Sequence, residues 1–195
     1  MTDGWSYAEL VAASNFSFLR GASHPAELVE TALRLGYAGL GLADRNTVAG
    51  VVRAHSALKA IRSEHRHDPD APCHRFQLVV GARLAFTDGT PDIIAYPENR
   101  EGWGRLCRLL TTGNLRGAKG ECLLALDDLL DSCRDLLLIA MIPEPDGARA
   151  LLPKLCEAAP GAVWLGVSQL RRGDDARRLA ALRAAASASS LPILA

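Results

Sequence analysis

The sequence predicts an α/β fold in which β/α units follow one another and close towards a barrel. Three observations predict it. Stretches with strand periodicity alternate with stretches with helix periodicity along the whole length, and six or seven such units suit a barrel of parallel strands better than an open sheet. With 49% hydrophobic and 23% charged residues among 195, the chain can bury a proper core. An apolar run over residues 37–43 stops abruptly at Asp44-Arg45-Asn46, and the ends of buried strands are where α/β folds place their chemistry.

Taken in order, residues 7–12 read as the first strand, and a polar link over 14–24 leads to Pro25. Proline suits the first helical position, Glu27 suits the dipole there, and Leu28, Ala32 and Leu35 share a face before Gly36 ends the helix in a left-handed cap. Residues 37–43 form the second strand. Thr47 is placed to cap a second helix that turns Val51, Ala54, Leu58 and Ile61 inward. A polar, solvated insert over 63–74 precedes a third strand at 76–80, which continues towards Phe86, and Asp88-Gly89 signals a tight turn before a fourth strand at 92–96. The next helix starts near Arg100, buries Trp103, Leu106 and Leu110, and is expected to end at Gly113; a shorter one covers 126–132. Residues 136–142 form the most apolar strand. A helix at 147–158, a strand at 162–167, an alanine-rich helix at 174–186 and a final strand at 191–195 complete the pattern. Because nothing follows that last strand, the chain reads as a domain spanning residues 1–195, cut from a longer protein.

Composition narrows the function. Twenty-two basic residues balance twenty-two acidic ones, so no global field draws the chain to nucleic acid or anionic lipid. Five scattered cysteines without a CxxC pair indicate reduced thiols and a cytoplasmic location. Residues 1–5 carry no targeting signal, and no run is long enough to span a bilayer.

One set of motifs, in order and at consistent spacing, goes further. Ser14-Asn15-Phe16-Ser17-Phe18-Leu19-Arg20-Gly21-Ala22-Ser23-His24-Pro25, Asp44-Arg45-Asn46, residues 49–55, Val80-Gly81-Ala82-Arg83-Leu84, Tyr96-Pro97, residues 104–110 and Lys119-Gly120-Glu121-Cys122 resemble the PHP (polymerase and histidinol phosphatase) domain of bacterial C-family DNA polymerases. The match is with the error-prone branch. The resemblance implies a distorted seven-stranded, TIM-like β/α barrel, here incomplete at its C-terminus. It also implies a parent that extends primers with magnesium in DNA repair and mutagenic replication, a DNA-directed nucleotidyltransferase. This domain's partners would then be the remaining polymerase domains, with DNA met through the parent, other mutagenesis proteins as further partners, and no membrane.

Active members of the family hold divalent metals with His, Asp and Glu at strand ends. The corresponding positions here are Val11 and Ala13 on the first strand, Asp44 and Arg45 on the second and Arg83 on the third. Valine and alanine donate no lone pair, and arginine carries a permanent charge with no acceptor. The resemblance therefore implies a degenerate metal site, no catalytic residue, no cofactor in this domain, and a structural supporting role. A PHP phosphoesterase or proofreading exonuclease, and a non-catalytic interaction module, are the rival readings.

Other candidates have plainer explanations. His65, His67, Cys73 and His74 fit no standard zinc spacing. His24 and His55 read as packing or capping residues. Ser14 and Ser17 lack a catalytic elbow. Arg171, Arg172, Arg177, Arg178 and Arg183 form a basic cluster interrupted by Asp174 and Asp175, which reads as a solvated helix face. With the metal ligands gone, Asp44 is expected to pair with the guanidinium of Arg83 or Arg45.

Overall fold

The computed structural model describes residues 7–169, 171 and 173–194. Arg172 and Ala195, both used in the sequence reading, lie outside them, as does the segment 1–6. The chain divides into two compact units, residues 1–82 and 83–195. Among the described residues, seven strands form one sheet in which sequence neighbours are sheet neighbours.

In the first unit, β1 (Ala8–Ala12) pairs in parallel with β2 (Gly39–Arg45). Helix α1 (Pro25–Arg34) has Pro25 at its first position, and the His24 N–H donates to Glu27 Oε2 at 2.8 Å. Gly36 takes φ 73° just beyond the helix, the left-handed conformation that the sequence predicts. Helix α2 (Val51–Glu64) starts later than expected: Gly50 is its cap, and Thr47 instead accepts the Ala49 N–H at 3.2 Å in the turn before it. Val29 and Ala32 of α1, Leu40 and Leu42 of β2, Ala54 and Leu58 of α2, and Phe76 form the core of this unit. At roughly 25 cal/mol per Å² of apolar surface, fully burying one such leucine contributes about 2 kcal/mol.

The insert is solvated as expected over residues 63–70, and two of its later residues, Ala71 and Cys73, are buried. It contains a short helix, α3 (Pro72–Arg75), whose Cys73 is buried, and Arg62 ties it down by donating to the Cys73 and Phe76 carbonyls at 2.9 and 2.8 Å. Strand β3 (Gln77–Leu84) follows. β2 approaches it closely, because a side chain on Gly39 would meet the Gln77 carbonyl oxygen at 2.7 Å.

The second unit departs from an all-parallel pattern. β4 (Ile93–Pro97) runs antiparallel to β5 (Leu136–Met141), with Ile93 opposite Ala140 and Pro97 opposite Leu136. β6 (Val163–Gly166) and β7 (Ile193–Leu194) then add in parallel. Alternation of strand and helix periods carries no direction, so the antiparallel pairing of β4 with β5 leaves no trace in it. Helix α4 (Arg100–Arg116) is capped by Asn99, which accepts the Gly102 N–H at 2.9 Å, and it runs straight past Gly113. That glycine is a packing residue: a Cβ there would meet Cys122 Sγ at 2.6 Å and Leu124 Cδ2 at 2.8 Å. Leu106 and Leu110 are buried as predicted, whereas Trp103 is only half-buried. Helices α5 (Leu126–Leu130), α6 (Pro145–Ala158) and α7 (Asp175–Ala188) complete the unit. No helix among the described residues is long and apolar enough to cross a membrane.

Candidate functional site, a strand-end aspartate held by hydroxyls

Glu9 shapes the end of the first strand. The β1–β2 register slips between Glu9 and Ala12, and the Val11 N–H that leaves the ladder donates to Glu9 Oε1 at 2.8 Å. A side chain thus satisfies the amide that a bulge would otherwise orphan. Val11 and Ala13 lie half-buried on either side of Ala12 at this strand end.

Asp44 stands at the facing end of β2 and is 1% exposed. Its Oδ1 accepts the Ser14 N–H at 2.8 Å and the Ser17 hydroxyl at 2.6 Å, and its Oδ2 accepts the Ser14 hydroxyl at 2.7 Å. Each hydroxyl is itself polarised by a backbone donor. The Phe16 N–H gives to Ser14 Oγ at 3.2 Å, and the Arg45 N–H gives to Ser17 Oγ at 2.9 Å. These hydroxyl and amide donors satisfy both carboxylate oxygens. Ser14 and Ser17 are 0% and 1% exposed.

This network fastens the link between β1 and α1. Ser17 N–H donates to the Ser14 carbonyl, Arg20 and Gly21 N–H both donate to the Ser17 carbonyl, and Asn15 N–H reaches the Ser23 carbonyl, all at 2.9–3.0 Å. Two glycines make room for it. A side chain on Gly50 would meet Asp44 Oδ2 at 2.9 Å and Pro25 Cγ at 3.0 Å, and one on Gly21 would collide with the Ala13 and Ser14 carbonyls.

The expected pairing of Asp44 with Arg83 or Arg45 is not what the structure has. Arg83 sits in the second unit, and its Nη1 lies 3.2 Å from Asp92 Oδ2, with side chains 18% and 24% exposed. Arg45 is exposed, and it is its backbone N–H that joins the Asp44 network. Short neutral donors on the loop after β1 satisfy both carboxylate oxygens, so no guanidinium need be desolvated to reach them. The two serines are legible as polar residues on a loop after a strand. Their role is not, because a serine that serves as a hydrogen-bond donor to a distant carboxylate leaves no spacing motif in the sequence.

The remaining candidates separate. His65 Nδ1 lies 2.9 Å from the Ile61 carbonyl oxygen, His74 Nε2 lies 3.2 Å from the His65 carbonyl oxygen, and His67 Nε2 accepts from Arg66. His24 Nδ1 lies 3.0 Å from Asn15 Nδ2, while His55 is exposed on α2 rather than packed. Arg178 departs from the basic cluster altogether. It is 7% exposed, and its guanidinium donates to the Pro143 and Ser168 carbonyls and approaches Asp175, tying together the loops that follow β5 and β6. Arg177 and Arg183 are solvated as expected.

A fold of this kind implies a metal cluster, and the residues present do not fit one. Val11 and Ala13 offer no donor, Arg45 and Arg83 offer only positive charge, and both oxygens of Asp44 are engaged. Among the described residues, no group of three or more His, Cys, Asp or Glu side chains is placed to hold a metal ion.

Comparison with known proteins identifies the family. The PHP domain model matches residues 9–167. The chain belongs to the PHP-domain family. It is 48% identical to an error-prone DNA polymerase of Rhodopseudomonas palustris over 190 residues, covering 96% of this chain and 16% of that protein. It is also 48% identical to an error-prone DNA polymerase of Brucella abortus, covering 97% of this chain and 17% of that protein. The chain thus spans about one-sixth of the length of the curated relatives it matches. Among solved structures, an amidohydrolase from Chromobacterium violaceum aligns with TM-score 0.61 at 15% identity, over 96% of this chain and 85% of that one, which supports the α/β barrel-type fold alone.

Proposed function

We propose that this chain is the PHP domain of an error-prone DNA polymerase α-type subunit and serves as a structural support for the polymerase core. The observation that carries the reading is the 48% identity over almost the whole chain to error-prone DNA polymerases. The parent would extend primers during DNA repair and mutagenic replication, with magnesium held in its own polymerase domains. DNA would be met through the parent, since the net charge of this chain is zero. Other mutagenesis proteins are possible further partners of that parent. Five free cysteines suit a reducing cytoplasm.

The strand-end residues support a non-hydrolytic role. Phosphoester hydrolysis in this fold needs several deprotonated ligands around metal ions, which polarise the phosphate and activate water. Here Asp44 serves as a strut that fixes the loop after β1. The test is primer extension by the full-length protein containing this chain, alongside hydrolysis of a generic phosphodiester with manganese, zinc or magnesium. Primer extension without chelator-sensitive hydrolysis attributable to this domain supports the proposal; hydrolysis that disappears with Asp44→Asn overturns it.

A further inference from the structure

The link fastened by Asp44 presents apolar side chains to water. Phe18 is 84% exposed and Leu19 89% exposed, and Phe16 beside them is 36% exposed. Leu19 also holds φ 61°, a left-handed conformation that an ordinary L-residue rarely adopts. Mobile loops usually carry polar residues and relax out of such conformations; this one is held by the Ser14, Ser17 and Asp44 hydrogen bonds. A rigid, strained loop that aims a phenylalanine and a leucine outward is built to be covered.

The residues around it are arginines. The Arg53 guanidinium lies over the Phe16 ring, 5.7 Å from its centroid, and Arg20 and Arg45 are exposed on the same loop and at the β2 end that it grips. Aromatic residues and arginine without lysine is the composition of protein–protein interface centres. A single-stranded nucleic acid fits less well. One face of Phe16 already carries Arg53, Leu19 has no π face for a base, and the chain is neutral overall.

We propose that the patch formed by Phe16, Phe18 and Leu19, rimmed by Arg20, Arg45 and Arg53, docks against an apolar, acid-rimmed surface in the remainder of the longer polymerase chain. This rests on the functional reading above and names the surface through which the support would act. Relatives extend for about five-sixths of their length beyond the region this chain matches. A tethered partner docks at high effective concentration, so a small apolar patch suffices.

The test uses the full-length protein, with Phe18 replaced by the photoreactive p-benzoylphenylalanine and, as a control, the same residue at exposed Lys59 on α2. After irradiation with and without primer–template DNA, cross-linked peptides are mapped by mass spectrometry. The expected result is intramolecular adducts from position 18 to segments outside residues 1–195, independent of protein concentration and absent from position 59. A second variant, Leu19→Asn, keeps a residue that tolerates the left-handed backbone and is expected to lower the adduct yield about fivefold. Adducts confined to residues 1–195, adducts to DNA, or adducts between copies that rise with concentration would each overturn the proposal. Intact mass and primer extension keep the two readings apart. A full-length protein lacking a polymerase segment removes the parent reading and the docking with it, whereas an active polymerase without the expected adducts removes only the docking.

Discussion

Each of the two units holds a charged side chain towards the end of a strand, and each satisfies it differently. In the first, Asp44 is buried and held by two hydroxyls and an amide, with no cation in its network. In the second, Arg83 keeps part of its surface in water and pairs with Asp92. A buried strand-end acid can be satisfied by neutral donors from a neighbouring loop. A partly wetted guanidinium pairs with a counter-charge. The first solution locks a loop; the second is a local ion pair.

The sharpest way to break this contrast is Asp44→Ala, which removes three hydrogen bonds to a charged group and leaves two buried hydroxyl protons without their acceptor. Chemical denaturation should register a loss on the order of 3 kcal/mol. Adding Ser17→Ala to Asp44→Ala should cost little more, because the two residues act as one network; fully additive losses would separate them. Next in size, Gly50→Ala forces a methyl to 2.9 Å from Asp44 Oδ2, and Gly113→Ala forces one to 2.6 Å from Cys122 Sγ. Each should destabilise by about 1–3 kcal/mol through overpacking, and only Gly50→Ala should also increase hydrogen exchange across residues 14–21. Arg83→Leu should cost about 1 kcal/mol or less, since its partly wetted ion pair contributes little.

Much of this was legible in the sequence and some was not, for physical reasons. The strands and helices follow from hydrophobic period, and Pro25 and Gly36 mark the ends of α1 because their backbone restrictions are local. The helix does not end at Gly113 as expected, because a glycine placed for close packing looks the same in sequence as one placed at a helix end. The reversal of β4 against β5 leaves no trace in periodicity. Asp44 stood out as a strand-end acid, but its partners could not be chosen by charge: the expectation of an arginine overlooked the shorter path to Ser14 and Ser17. Arg178, placed by its neighbours on a solvated face, points inward because the carbonyls of Pro143 and Ser168 are there to receive it.

The smallest expected effect lies in the second unit's acid response. Hydrogen bonding from the Arg116 guanidinium holds the Asp128 carboxyl below its ordinary 3.8, with the Ala125 N–H adding to it against the opposing effect of burial. A carboxyl depressed on folding stabilises the native state above its unfolded value, and that contribution is lost as pH falls through the lower, folded value. Stability should therefore decline below about pH 4, and Arg116→Ala should flatten that decline in acid titrations followed by circular dichroism.

Whether Asp44 is a strut or a ligand is tested most directly by thermal melts of the chain and of Asp44→Asn, each with and without manganese or zinc. A ligand that binds only the native state raises its melting temperature by mass action. The account predicts that Asp44→Asn lowers the melting temperature while neither metal shifts it in either protein. A metal-dependent rise in the unmodified chain that vanishes in Asp44→Asn would contradict it.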